Sequence, residues 1–257
     1  MMAGLKTAIE KDIIPGPRMI IATRAIVAKG TYGPNSNNPD VEFIKGAEEV
    51  TGMESMANAV RTQIGNGADL IKIYADYRYG LNNEAVPIFT EAEIKYMVDI
   101  TASSGRKVVA HAGTPEGMRR AIMSGVSTIE HGDKGTAEIF KLMKARGVAL
   151  CPTLAAGDAV SQYRGWKKGL ETEPERISIK RKTFTMALEA GVTMCMSGDV
   201  GVFAHGDNAR EMEMMVDYGI KPINVLRSAT SVNALVFGYA DKIGSIKTGL
   251  LADLICR

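Results

Sequence analysis

Short runs of β-branched and apolar residues alternate along this chain with longer segments whose apolar positions recur at helical spacing. That is the pattern of parallel strands joined by crossover helices. Strands are predicted near residues 18–24, 69–75, 107–111, 126–131, 148–153 and 192–197, six in all, where eight would close a barrel. The punctuation between them agrees. Thr90 with Glu93 three residues on makes a capping box, and Gly105 stops that helix before a strand opening at Lys107. Thr114 and Pro115 open a second helix that ends at Gly125, and Thr136 opens a third that ends at Gly147. Further helices are expected from about Arg181 to Gly191 and from Asn208 to Tyr218.

Two stretches break the period. Residues 30–48 are rich in Gly, Asn and Pro and are expected as a long loop on the side of the active site. Residues 158–175, with Trp166 and several lysines, are expected as either a lid or a solvated excursion. With 257 residues and 46% hydrophobic content the chain is long enough for one large α/β domain with a buried core. A net charge of +2, from 31 basic and 29 acidic residues without a basic stripe, argues against a nucleic acid partner. No apolar run reaches the roughly 18 to 20 residues of a membrane helix, and Met1 to Lys11 lack the apolar block of a signal peptide. The expectation is therefore a soluble, cytoplasmic protein without a membrane partner. Cys151, Cys195 and Cys256 are odd in number and far apart, and are read as buried thiols rather than a disulfide framework.

The chemistry gathers where strands end. Lys72 closes Leu70-Ile71-Lys72-Ile73, His111 closes Val108-Val109-Ala110-His111, His131 closes Ser127-Thr128-Ile129-Glu130-His131, and Asp199 follows Met194-Cys195-Met196-Ser197-Gly198. The chain has only three histidines, and two of them occupy such ends. Neutral imidazoles suit Zn²⁺ or a similar divalent ion, and an aspartate supplies a ligand or a proton acceptor for attacking water. An ammonium at Lys72 would repel a cation, but a neutral amine takes up CO₂ to give an anionic carbamate. Each histidine alone is equally well read as a hydrogen-bonded core residue. It is their joint placement that points to a metal site.

These residues lie in runs that resemble a known family. Gly67-Ala68-Asp69-Leu70-Ile71-Lys72-Ile73, Val109-Ala110-His111-Ala112, Ser127-Thr128-Ile129-Glu130-His131-Gly132, Met196-Ser197-Gly198-Asp199 and the closing Ile243 to Leu254 resemble the amidohydrolase superfamily. Within it they look most like its imidazolonepropionase-like and Xaa-Pro dipeptidase-like members, and Ile14-Pro15-Gly16-Pro17-Arg18 fits the same group. The resemblance implies a TIM (β/α)8-type barrel with a binuclear metal centre. In it Lys72 is carboxylated and bridges two ions, His111 and His131 bind one of them, and Asp199 binds the other and handles the proton.

The departure is as informative. The family carries a His-x-His pair on its first strand, and this sequence has no His-x-His anywhere. It opens in what reads as the helix after strand two. The expected barrel is thus partial, spanning residues 1–242, with residues 243–257 as the start of a C-terminal β-sandwich. Lys72 carbamate, His111 and His131 would still give one ion three protein ligands and an open position, so one or two zinc ions are expected. Open sheet edges would favour a homo-oligomer that covers them.

The expected activity is metal-dependent hydrolysis of amide-type bonds in dipeptides, N-acyl amino acids or cyclic amides, with Asp199 as proton acceptor. The first alternative is a barrel remnant that binds a metal or partner without turnover. A barrel lyase or aldolase would use similar ligands but leaves residues 244–254 unexplained. Tyr74 and Arg78, following the Lys72 strand, are candidates for binding a substrate carboxylate. His205 either contacts substrate or caps the helix that begins near Asn208. The methionines at 212, 214 and 215 read as helix packing.

Overall fold

The computed structural model describes residues 2–34, 40–41, 43–80 and 82–254. They form two compact units, Met1–Val126 and Ser127–Arg257.

The first unit begins with helix α1 (Met2–Glu10) and strands β1 (Ile26–Ala28) and β2 (Glu48–Val50), followed by α2 (Gly52–Gly65) and β3 (Ile71–Tyr74). A hairpin of β4 (Asp76–Tyr79) and β5 (Glu84–Pro87) precedes α3 (Glu91–Ala102), β6 (Val108–Ala112) and α4 (Pro115–Ser124). Strands β2, β1, β3 and β6 run parallel in that spatial order. Parallel strands are covered by helices on their faces, which is why Ile26, Ile71, Ile73, Ala110 and Ala112 are all buried. They meet Met56 and Val60 of α2, Ile94 and Met97 of α3, and Met118 and Ile122 of α4, a buried set in which each large side chain contributes ~2 kcal/mol.

The second unit contains β7 (Thr128–His131), α5 (Ala137–Arg146), β8 (Ala149–Cys151), α6 (Leu154–Tyr163), α7 (Glu175–Glu189) and α8 (Ala209–Asp217). It ends in α9 (Pro222–Arg227), a π-helical turn (Ser228–Val232) and α10 (Asn233–Phe237). Strands β7 and β8 pair in parallel, and Leu150 of β8 bridges to Met194 beyond it. The core centres on Ile129, Phe140, Met143, Leu150, Phe184 and Met215.

The capping signals specify helix ends closely. Thr90 and Glu93 form the reciprocal capping box at the start of α3, and Thr114 and Thr136 accept from the third residue of α4 and α5. Gly125 and Gly147 close those two helices in the left-handed conformation that glycine adopts without a Cβ clash. Strand prediction fares unevenly. Residues 69–75, 126–131 and 148–153 contain β3, β7 and β8, and 107–111 covers all of β6 but its last residue, Ala112.

The predicted strand at 18–24 is not one. That segment is extended, and Asp69 ties it down by donating its N–H to the Ile21 carbonyl and accepting from the Ile21 N–H, while the strand itself forms at Ile26–Ala28. The predicted strand at 192–197 reduces to the single bridge at Met194. Of the expected loop at 30–48, residues 35–39 and 42 lie outside the described residues, and Glu48 opens β2. The expected excursion at 158–175 begins inside a helix, α6, which runs to Tyr163 because Leu154, Ala155, Asp158 and Ala159 make a buried helical face. Helix α7 starts at Glu175, six residues before the predicted Arg181, after Pro174 fixes its N-cap.

Cys151 and Cys195 are buried free thiols, as expected, and Cys256 lies outside the described residues. Met214 and Met215 pack into the core. Residues 243–254 form turns without a strand. Among the described residues no helix is long and apolar enough to cross a membrane.

Candidate functional site

In the first unit the burial pattern of β3 sorts its side chains: Ile71 and Ile73 are fully buried and Lys72 and Tyr74 are half-buried on the opposite face. The parallel register sets Lys72 beside Val109 and Tyr74 beside His111, so Lys72, Tyr74 and His111 share one face of the two strands. Their contacts follow from that placement. The Tyr74 and His111 rings stack with centroids 4.4 Å apart and planes 11° from parallel. The Lys72 ammonium lies 5.9 Å from the Tyr74 ring centre. Tyr77 meets His111 edge-on at 5.7 Å, and Tyr32, from the turn after β1, stacks on Tyr77 at 5.6 Å. The three tyrosines and His111 thus form one aromatic cluster beside Lys72.

Asp76, the first residue of β4, is buried under this cluster. Its carboxylate accepts from the backbone N–H of Gly113 (3.0 Å) and of Thr114 (2.7 Å) and from the Thr114 hydroxyl (2.7 Å). An anion at the start of α4 is well placed for the helix dipole. Gly117 gives the carboxylate its room, since a Cβ at that position would run into the Asp76 side chain. His111 Nε2 stands 3.8 Å from Asp76 Oδ1. Arg78, two residues further along β4, is exposed, with Ala85 of β5 opposite it in the hairpin.

In the second unit His131 ends β7 with φ at 74°, a left-handed conformation uncommon outside glycine. Its Nδ1 lies 2.7 Å from Thr153 Oγ1, while the Thr153 hydroxyl donates its one proton to the Pro152 carbonyl. A ring carrying its proton on Nδ1 would donate to Oγ1 and, when neutral, present its lone pair at Nε2. Thr153 is itself left-handed, at φ 53°, and so is Asp199, at φ 57°.

Lys180, buried in α7, donates to the His131 carbonyl and to Asp133 Oδ1 at 2.6 Å. Burial opposes ionisation of Asp133, but the charge and hydrogen bond of Lys180 outweigh it and hold the carboxyl below the usual range. Glu211 of α8 is fully buried and accepts from the backbone N–H of Leu154 (3.0 Å) and Ala155 (2.7 Å), capping α6 from outside. Burial outweighs these two hydrogen bonds and pushes its carboxyl up to about 7. His205 is exposed in the turn before α8, and α8 carries no side-chain cap.

The first unit thus brings together Lys72, Tyr74 and His111 and leaves Arg78 at the surface. The second fixes His131 through Thr153 and leaves His205 exposed. Sequence reading missed Asp76, Thr153, Lys180 and Glu211. Two of these left a signal. Glu211 shares a helical face with the buried Met214 and Met215, and Lys180 shares one with Ile177, Thr183 and Phe184, so each is a charge at a core position. Asp76 and Thr153 depend on contacts distant in sequence and leave none.

Among the described residues no three His, Cys, Asp or Glu side chains converge as a ready-made cation cage. The expected set includes a lysine, which enters such a cage only as its carbamate. The donor chemistry fits a divalent ion all the same: each unit supplies an imidazole with one nitrogen facing a protein oxygen, as metal-bound histidines have, together with Lys72 or Asp199 as an oxygen source.

The whole chain, residues 1–257, matches the model of the Amidohydrolase family. It is similar to an ochratoxinase from Aspergillus niger, 28% identical over 247 residues that cover 92% of this chain and 50% of that protein. Among solved structures it is similar to a Xaa-Pro dipeptidase with bound methionine in the active site, at TM-score 0.85 and 31% identity, over 97% of this chain and 64% of that one. A prolidase complexed with N-methylphosphonate-L-proline gives TM-score 0.82 and 27% identity over the same shares. The chain therefore spans about half the length of the ochratoxinase and under two thirds of either solved structure.

Proposed function

This chain belongs to the amidohydrolase family, and from that membership we propose that it hydrolyses amide or peptide-like carbon–nitrogen bonds in small molecules with the help of a divalent metal ion. The observation that supports the proposal is the His131–Thr153 hydrogen bond, which anchors one nitrogen of an imidazole at a strand end and leaves the other for a metal. Lys72 as its carbamate and His111 in the first unit, and His131 and Asp199 in the second, are the residues proposed as metal ligands, for zinc by the donor types, in one or two copies. When bound, such an ion polarises the scissile carbonyl and acidifies water.

The chain's own residues do the rest. Asp199 takes the proton of the attacking water and delivers it to the nitrogen as the carbon–nitrogen bond breaks, so acid and amine leave in balance. Tyr74, Arg78 and His205 are proposed to bind substrate. The similarity to a Xaa-Pro dipeptidase and a prolidase favours dipeptides among these substrates. A panel of Xaa-Pro dipeptides, N-acyl amino acids and uncharged amides, assayed with zinc, tests this reading; no turnover of any amide removes it. Arg78→Ala should raise KM about tenfold for carboxylate-bearing substrates and spare the uncharged ones, and equal effects on both would remove Arg78 from substrate binding. The alternative is a barrel that binds metal without turnover, and zinc binding with an inert panel would establish it.

We also propose that copies of the chain associate. Ile44, Leu170 and Ile246 are 99%, 84% and 91% exposed, apolar surface that a second copy would cover. Size-exclusion chromatography should show a species larger than 27.6 kDa at micromolar concentration, and a monomer at every concentration would rule this out.

A further inference from the structure

Asp76 has no part in the reaction as proposed, yet it is a buried carboxylate in a slot that only a glycine at position 117 leaves open. Its four hydrogen bonds, from Gly113, Thr114 N–H and the Thr114 hydroxyl, hold it rigidly at the start of α4. From there Oδ1 faces His111 Nε2 at 3.8 Å. Tyr74, stacked on the His111 ring, fixes the plane in which that edge lies. A negative charge held this close favours an N–H at Nε2 over a lone pair there.

We propose that Asp76 is a positioning residue for His111: it keeps the imidazole in the Nε2–H tautomer and so aims the Nδ1 lone pair at the metal. The inference rests on the reading of His111 as a metal ligand. In the second unit it is the Thr153 hydroxyl that stands at a histidine ring nitrogen, 2.7 Å from His131 Nδ1. A carboxylate serves here and a hydroxyl there because the β3–β4 turn brings in Asp76 buried and already anchored.

The chain has three histidines, so ¹⁵N-histidine labelling of the full chain resolves each ring. In metal-free protein at a pH where imidazole is neutral, His111 should carry its proton on Nε2. Asp76→Asn should move the proton partly to Nδ1 and weaken zinc binding about 10- to 100-fold, read by competition with a chromophoric chelator. Thr90→Ala is the control for a purely structural role. It removes the capping box of α3, away from Asp76, and should lower the melting temperature, while the His111 tautomer and zinc affinity stay as in the parent. A wild-type spectrum with the His111 proton on Nδ1, or an Asp76→Asn protein with unchanged tautomer and affinity, overturns the inference. The wild-type spectrum decides even where Asp76→Asn fails to fold. Absence of zinc binding in the parent would sink the metal reading separately, since the tautomer is read without metal.

Discussion

Lys72→Ala is expected to leave a chelator-free purification with metal at background and with kcat/KM for the best amide substrate down at least ~1,000-fold, or ~4 kcal/mol of transition-state stabilisation. The size of the effect follows from what is removed. Under the proposed chemistry the carbamate is the anionic ligand on β3, and alanine supplies neither the oxygen nor the charge. The substitution should leave the fold alone, because β3 is held by the fully buried Ile71 and Ile73 while Lys72 points to the half-exposed face. Unchanged circular dichroism together with lost metal would therefore locate the defect at the site. Lys72→Glu, which restores a carboxylate on a shorter stem, should recover part of the metal content. Intact-protein mass spectrometry under native conditions should show the added mass of CO₂ on the parent and not on Lys72→Ala. Full metal content in Lys72→Ala would remove Lys72 from the ligand set.

Glu211 should dominate the pH dependence of stability in the second unit. Its carboxyl titrates at 4.5 when exposed and at about 7 in the folded chain, because burial disfavours the anion more than the Leu154 and Ala155 N–H groups favour it. The folded state thus binds the proton more tightly than the unfolded one. The stability this contributes is fully present below about 4.5 and is lost as pH rises towards about 7, with no further change above. The gap between those values corresponds to ~3 kcal/mol. Asp133 and Asp158 work with the opposite sign, since their carboxyls are held low by Lys180 in one case and by Lys168 and Arg210 in the other. A difference measurement isolates Glu211. Urea unfolding of the parent and of Glu211→Gln at pH 5 and pH 8 should show the parent losing ~2–3 kcal/mol relative to the variant across that interval. Parallel behaviour of the two proteins would show that Glu211 does not titrate in this window. Glu211→Ala should cost ~3 kcal/mol at pH 5, since it leaves two buried N–H groups without acceptors.

Local signals made the helices legible. The Thr90 capping box, the Thr114–Pro115 start and the stops at Gly125 and Gly147 are read within four residues of chain and need no tertiary context. Strands near Lys72, His111 and His131 were legible because each carries a short run of buried β-branched and apolar residues between turn signals. The first strand was displaced for a tertiary reason. Residues 18–24 have the right apolar content, but Asp69 occupies the Ile21 N–H that a ladder would use, and pairing starts only at Ile26. At the candidate site the chemistry-bearing residues could be named from sequence, whereas their supports could not. Asp76 reaches Gly113 and Thr114 across more than thirty residues, and Glu211 reaches Leu154 across more than fifty. No periodicity encodes such contacts.

The backbone at His131, Thr153 and Asp199 bears on how this lineage could change. Each holds a side chain at positive φ, where glycine or asparagine would sit more easily, at a cost of ~1 kcal/mol or more per position. A population selected only for heat resistance would find stabilising replacements there before almost anywhere else, and each would discard an imidazole, its hydroxyl anchor or a carboxylate. Under the proposed chemistry, retention of the three in a descendant would record selection for that chemistry, whereas Asp12 and Thr23, equally left-handed, would be free to change.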